Sequence, residues 1–336
     1  MKNRITLKNI ANQANVSVRT VGRVLNNSPS VEKKTREKIK KILENSNYQP
    51  NLIARGLKSK ITNTIGLIYI DFGSGMFNKI VKGIELEAEK NNYSLIVADS
   101  RYSDEIQEKN IINFINRMVD GLIILPCSSN FSYLQKFSNI IPIVNLLQMP
   151  DHTDSYWVSN DNLIRTNLAV DYLVKKGHKK IAYINFYTNL YTVKLRFKNF
   201  KLKLKEYGIE YNSNLVFTSG ASIEDGYDVA EKIFNQNLEF TSIICWNDQM
   251  AIGVMQYCED NNIKIPDECS IIGTDNDKQI VPYLKIPLTT IHFYKTKAGQ
   301  KAAELLFKQI NNEEIPDKKI LFTPFVVERK SVKDIR

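Results

Sequence analysis

Arg19 and Arg23 stand one helical turn apart, and Val18 and Gly22 share their side of the helix. Two guanidiniums near a helix N-terminus, where the macrodipole is already positive, make a poor core face but suit phosphates and guanine edges. A second group of residues lies far along the chain. Arg196 falls near the start of a predicted helix, Trp246-Asn247-Asp248 follows the apolar run 241–245, and Asp275 follows 270–273. Amides and carboxylates beside an indole could fix a hydroxylated ligand, the polar groups taking hydroxyls and the ring taking C–H surface. Helix capping alone also accounts for Asn247 and Asp248. Arg196 reads equally as a surface arginine or as a cleft arginine with its rigid fork turned inward.

Other chemistry is thinly supplied. His152, His178 and His292 are the only histidines, more than twenty residues apart, and no cysteine lies near one. Zinc and triad chemistry are therefore not expected. Cys127, Cys245, Cys258 and Cys269 show no CxxC spacing and read as small buried hydrophobes in a reducing compartment. Gly73-Ser74-Gly75 lacks the rest of a phosphate-binding pattern and reads as a tight turn. Asp71-Phe72-Gly73 has no kinase context around it. The expectation is a protein that is not an enzyme and has no metal or cofactor.

The arginine pair needs a helix to carry it. Thr6 is a candidate N-cap for a helix whose inward face is Leu7, Ile10, Ala11 and Ala14. Asn15 breaks that run, Val16 plugs the corner, and Ser17 caps a second helix with Thr20, Val21, Val24 and Leu25 inward. A third helix is predicted over 30–45, with Val31, Ile39, Ile42 and Leu43 inward and six basic residues mostly outward. This reads as a helix-turn-helix headpiece. Charge agrees: the first 60 residues hold 14 Lys+Arg against 3 Asp+Glu, and the remaining 276 hold 32 against 33, so the +10 of the chain resides at one end. Such asymmetry implies a polyanion partner.

The second group needs an α/β scaffold. Apolar runs at 64–70, 94–98, 121–125 and 141–146, then at 179–184, 214–218, 241–245 and 270–273, alternate with amphipathic stretches at 76–91, 104–118, 161–176, 194–207, 224–236 and 247–262. Two such series predict two parallel sheets covered by helices, hence two lobes with a cleft at the C-terminal ends of the strands. A last helix near 295–311 and a strand in FTPFVVERK return across both lobes. No run of 18 apolar residues exists, and Met1 leads directly into a charged helix without an apolar signal region. The expected place is the cytoplasm, with no membrane association.

With these features in place, the chain resembles the lactose/galactose repressor family from end to end. TLKNIANQANVSVRTVGRVLNN is similar to its headpiece, PNLIARGLK to its hinge and TIGLI to its first core strand. VDGLIILP, KKGHKKIAYI, WNDQMAIGVMQ, IPDECSIIGTDN and PLTTI match core motifs, and VERKS matches its tail. The resemblance implies residues 1–49 as headpiece, 50–60 as a hinge helix and 61–336 as a periplasmic-binding-protein-like core. Within that core the N-lobe covers about 61–160 and 292–320, and the C-lobe about 161–291 and 321–336. It implies a homodimeric regulator, chiefly a repressor, on pseudo-palindromic double-stranded operator DNA, controlled by a small effector such as a sugar or sugar derivative. A solute-binding receptor or a purine-responsive regulator with the same core is the alternative.

Residue by residue, the resemblance places Thr6, Ser17, Val18, Arg19, Thr20, Arg23 and Asn27 at the DNA. In the hinge it adds Ala54, Arg55, Leu57 and Lys58, with Leu57 as the minor-groove wedge. It places Met76, Phe77, Ser128, Asn145, Arg196, Trp246, Asn247 and Asp275 at the effector. There are departures. Gly22 and Gly56 replace small polar residues, each weakening a helix by up to ~1 kcal/mol. Arg165 stands where a glycine usually follows Asp161-Asn162. Ala221 replaces a usual aromatic, and Trp246 appears where the family has something small, as if the platform had moved.

Overall fold

A computed structural model of the chain describes residues 5–25, 27–46, 61–70, 75–127, 132–147, 155–188 and 190–336. The hinge expected over 50–60 lies outside the described residues. The chain divides into two compact units, 1–62 and 63–336.

In the first unit α1 (Leu7–Ala14), α2 (Val18–Leu25) and α3 (Lys33–Asn45) enclose Ile10, Ala11, Ala14, Val21, Val24, Val31 and Ile39. Thr6 and Asn9 cap α1 reciprocally, each side chain accepting the other's backbone N–H. Asn15 turns the chain in the left-handed region at φ 58, and Ser17 Oγ accepts the Thr20 N–H at 3.1 Å to start α2. The third helix begins three residues later than its spacing predicts. Ser28 and Ser30 bond each other through their hydroxyls, and the Arg36 guanidinium donates to the Ser28 and Val31 carbonyls. That turn uses up what would have been the first helical turn, and it drops Val31 into the core.

The second unit holds two six-stranded sheets. The N-lobe sheet consists of β1 (Thr64–Tyr69), β2 (Ser94–Asp99), β3 (Gly121–Ile124), β4 (Ile143–Leu146), β5 (Tyr156–Asn160) and β11 (Lys319–Phe322). Its order is β11-β5-β4-β3-β1-β2, with every pair parallel. Around it lie α4 (Gly75–Lys90), α5 (Asp104–Asn116), α6 (Ser132–Ser138) and α11 (Thr296–Ile310). The C-lobe sheet consists of β6 (Ile181–Phe186), β7 (Val216–Ser219), β8 (Ser242–Cys245), β9 (Ser270–Asp275), β10 (Thr289–His292) and β12 (Phe325–Val327), in the order β12-β10-β9-β8-β6-β7. Its helices are α7 (Asn162–Lys175), α8 (Tyr191–Glu206), α9 (Ile223–Phe234) and α10 (Asp248–Asp260).

The expectation of two wholly parallel sheets needs one correction, because β12 runs antiparallel to β10. β11 is parallel to its sheet and so leaves it at the strand C-termini, facing the cleft. A chain entering the second sheet from the cleft must run against that sheet. FTPFVVERK is therefore not one strand: Pro324, which has no N–H to give a ladder, separates β11 from β12. The last passage between lobes falls at 323–324, so Leu321 and Phe322 belong to the N-lobe sheet. The earlier passages lie at 161 and at 293–295.

The described helices pack with backbones in contact where glycine allows it. A Cβ on Gly299 would come 2.3 Å from the Ile80 carbonyl oxygen, and one on Gly83 2.0 Å from that of Thr296, so α4 and α11 could not approach this closely with any other residue. All four cysteines are buried and unpaired; burial pushes the Cys127 and Cys258 thiols up to about 12, where neither reacts as a thiolate.

Two outcomes follow from this packing. Ile39 is fully buried in a headpiece core of only seven residues, and Ile39→Ala costs about 2–5 kcal/mol, comparable to the whole stability of so small a unit. Amide exchange is expected to show the headpiece unprotected and the core unchanged. The second concerns acid. His292 Nδ1 accepts from Asn276 Nδ2 at 3.1 Å, and burial, then Lys278, Lys295 and Lys79, press its pKa from 6.5 down to about 4. The unfolded chain binds the extra proton between those values, so this contribution is present above pH 6.5 and lost as pH falls toward 4. Melting curves should decline through that window, and less steeply in His292→Gln.

Candidate functional site

The outer face of α2 presents Val18, 45 % exposed, with Arg19 and Arg23 also exposed. A Cβ on Gly22 would meet nothing within 4 Å, so a serine would fit there and the glycine only flattens the ridge between the arginines. Residues 5–25 contain no acidic side chain, and among the described residues no ion pair is made by Arg19 or Arg23. The hydroxyls of Thr6, Ser17 and Thr20 are engaged in caps and hold the helix ends. Asn27 is exposed with φ 53, two residues beyond the end of α2. Ala54, Arg55, Leu57 and Lys58 lie outside the described residues.

In the second unit a cavity of about 330 Å³ lies between the lobes. Its wall is made at the C-terminal ends of strands, where Ile70, Leu125, Leu147, Phe186, Trp246 and Asp275 follow or close β1, β3, β4, β6, β8 and β9. Contacts between side chains of the two lobes bridge the opening. Tyr102 of the N-lobe meets Phe186 of the C-lobe edge-on at 5.8 Å, and Lys79 on α4 pairs with Asp277 beyond β9 at 2.8 Å. Three lining residues, Tyr102, Leu147 and Asp275, have positive φ (58, 62 and 126). Such conformations cost about 1–3 kcal/mol each and persist where surrounding contacts impose them. At Asp275 those contacts include two: Lys295 Nζ donates to its carbonyl at 2.6 Å and Arg165 to its carboxylate at 3.0 Å.

Arg196, 2 % exposed, lies beneath Trp246 with its guanidinium carbon 3.9 Å from the ring centroid. Nη2 donates to the Trp246 carbonyl at 3.0 Å and to Thr274 Oγ1 at 3.3 Å. Burial lowers its pKa, opposed by Tyr183 and Asp275. Asn247 Oδ1 caps α10 through the Met250 N–H, while its Nδ2 donates to the Ala221 carbonyl. Asp248 is buried, accepts from Thr290 Oγ1 at 2.5 Å and from the Asp277 N–H at 2.8 Å, and is raised to about 6 by burial and then by Asp275. Among the described residues no group of histidine, cysteine and carboxylate side chains could hold a metal ion.

The structure thus brings Trp246, Asn247 and Asp275 to one cavity, with Arg196 behind the indole. Two expected positions fall elsewhere. Phe77 is half-buried against Tyr69 at 4.8 Å in the N-lobe core. Asn145 is 4 % exposed within β4, with its amide turned to the Tyr156 carbonyl at 3.4 Å; it stops short of the strand end where the cavity opens. Ser128 and the side chain of Met76 lie outside the described residues. Sequence reasoning missed Arg165, Asn162, Phe186 and Phe293, which all line the cavity. Asp161-Asn162 at a strand-to-helix junction was a usable signal for the first two; Phe186 and Phe293 had none beyond following apolar runs.

Residues 6–51 match the family of bacterial regulatory proteins called the lacI family, and residues 170–332 match the periplasmic binding protein-like domain. The HTH-type transcriptional repressor PurR of Histophilus somni (strain 2336) is 31% identical over 336 residues, covering 98% of this chain and 99% of that protein. The ribose operon repressor of Escherichia coli (strain K12) is 27% identical over 329 residues, covering 97% and 99%. A crystal structure of the lac repressor dimer bound to operator and the anti-inducer ONPF superposes with a TM-score of 0.90 at 25% identity, covering 98% of this chain and 100% of that one. No described helix is long and apolar enough to cross a membrane. With a basic recognition ridge on one unit and a two-lobed cavity in the other, the chain belongs to the lacI family of bacterial regulatory proteins and is a DNA-binding transcriptional regulator, not an enzyme.

Proposed function

We propose that this regulator is a cytoplasmic homodimeric repressor whose headpieces read the two halves of a pseudo-palindromic operator, and whose grip is set by a carbohydrate-type effector in the interlobe cavity. The observation that carries the effector reading is the indole of Trp246, backed by a buried guanidinium and flanked by Asn247 and Asp275 on one cavity wall. An aromatic face with convergent polar groups suits a ring bearing hydroxyls. A relative named for a ribose operon agrees with it. Purine bases are the competing class.

Two-fold symmetry turns one recognition helix per chain into two inverted half-sites. Exposed apolar side chains on the C-lobe, Ile223, Ile280 and Tyr283 at 45, 41 and 81 %, favour association of the cores. In the hinge, Ala54 and Leu57 enter the minor groove, Leu57 wedging a base step while Arg55 and Lys58 hold phosphates. The effector acts because it binds one lobe arrangement better than the other; affinity alone shifts nothing.

Selection of duplexes from a random pool tests the DNA reading and is expected to return an inverted repeat. On that duplex Arg19→Ala and Arg23→Ala each lose about 1–3 kcal/mol, against little on scrambled DNA. Equal loss on both would reduce these arginines to phosphate contacts. For the effector, a thermal-shift screen of sugars, sugar derivatives and purine bases reads binding directly, since a ligand of the native state raises Tm. Arg196→Ala and Trp246→Ala are expected to bind operator as before and to lose about 1–3 kcal/mol of effector affinity. Unchanged affinity in both would move the effector out of this cavity.

A further inference from the structure

With the cavity taken as the effector site, its hydrogen-bonding inventory is lopsided. Arg165 lines it from the first turn of α7 with a side chain 11% exposed. One nitrogen, Nη2, donates to Asp275 Oδ1 at 3.0 Å, Nη1 reaches Asn162 Oδ1 only at 3.5 Å, and Nε is buried without an acceptor. Arg196 likewise has Nε and Nη1 buried without acceptors. Burial and then the nearby charge of Arg196 press the Arg165 pKa down to about 9, so its guanidinium stays charged at neutral pH.

Among the described residues the carboxylates nearby already have partners. Asp275 is held by Arg165, Asp248 by Thr290 and the Asp277 N–H, and Asp225 by the backbone and hydroxyl of Ser222. A neutral sugar offers hydroxyl protons, and the carboxylate at this wall, Asp275, already shares Oδ1 with Arg165. What this end of the cavity has in surplus is buried donors, and a surplus of donors calls for a ligand rich in acceptors.

We propose that Arg165 determines specificity in this cleft, and that the effector carries an anionic group, carboxylate or phosphate, gripped by its guanidinium beside Phe293. The guanidinium carbon lies 4.4 Å from the centroid of that ring, which fixes the plane of the fork, and a planar fork pairs bidentately with either anion.

Matched probes on the full chain separate the possibilities: glucose, glucuronate and glucose 6-phosphate, ribose and ribose 5-phosphate, and hypoxanthine. An acidic probe is expected to raise Tm by about 5 °C at a hundredfold excess over its Kd, with its neutral parent inert; whether glucuronate or a phosphate ester does so tells carboxylate from phosphate. In Arg165→Met that probe binds at least about tenfold more weakly. Should Arg165→Met fail to fold, Arg165→Lys decides, because it keeps the charge and loses the fork, so affinity falls while the preference for acid over neutral parent persists. A neutral sugar or base that stabilises the wild type, with Trp246→Ala abolishing the effect, overturns the anion assignment and leaves the cavity as the effector site. Stabilisation by an acidic probe that survives both Arg165→Met and Trp246→Ala overturns the cavity reading and this assignment together, as does the absence of any stabilisation.

Discussion

A guanidinium held at 2 % exposure has given up its water, and at Arg196 the cleft wall replaces part of it, through one nitrogen and one face. The indole of Trp246 covers one face, its carbonyl and Thr274 take one nitrogen, and these groups sit at the ends of β8 and β9. Strand ends so tied cannot relax independently. Asp275, next in line on β9, takes φ 126 with Lys295 on its carbonyl and Arg165 on its carboxylate. The polar wall is thus one connected object, in which indole, guanidiniums and carboxylate hold each other in place. Connected polar networks of this kind give little net stability, but they define a single arrangement.

The headpiece is under the opposite constraint. Its α2 divides cleanly, Val21 and Val24 inward and Val18, Arg19 and Arg23 outward. No hydrogen bond of the core depends on the outer side chains. The outer face can therefore change its chemistry at small cost in stability, as the open space around Gly22 shows. The buried and the exposed basic residues thus lie on different faces of the same eight-residue helix.

How far the sequence could be read depended on periodicity. The helices α1 and α2 and the strands β1, β3 and β8 have unbroken apolar faces or runs, and their positions follow from pattern alone. β5, β10 and β11 were not legible: Trp157 and Ser159, Thr289 and Thr290, and Lys319 are ordinary loop residues until a neighbouring strand covers them. At the site, Trp246, Asn247 and Asp275 were legible because each directly follows or ends an apolar run. Arg165 was visible as an oddity but not as a cavity residue. Its meeting with Asp275, 110 positions away, depends on a helix crossing over a sheet, which no local pattern encodes. Phe77 and Asn145 lie near a helix start and a strand end, where they pack against Tyr69 and reach the Tyr156 carbonyl rather than lining the cavity.

The three passages between lobes also govern the order in which the protein can be completed on the ribosome. The N-lobe sheet is contiguous from β1 to β5, yet its edge strand β11 is made only after the whole C-lobe series has been synthesised. The C-lobe receives its own edge, β12, three residues later, and then Ser331, whose buried hydroxyl donates to the Ile271 carbonyl and accepts the Thr289 N–H. Until about the last eighteen residues emerge, both sheets carry an open edge of the kind that invites pairing with other chains. The headpiece, by contrast, has its three described helices and their buried cluster within the first 46 residues. A nascent chain therefore acquires a folded DNA-reading unit long before it has a closed cavity to control it.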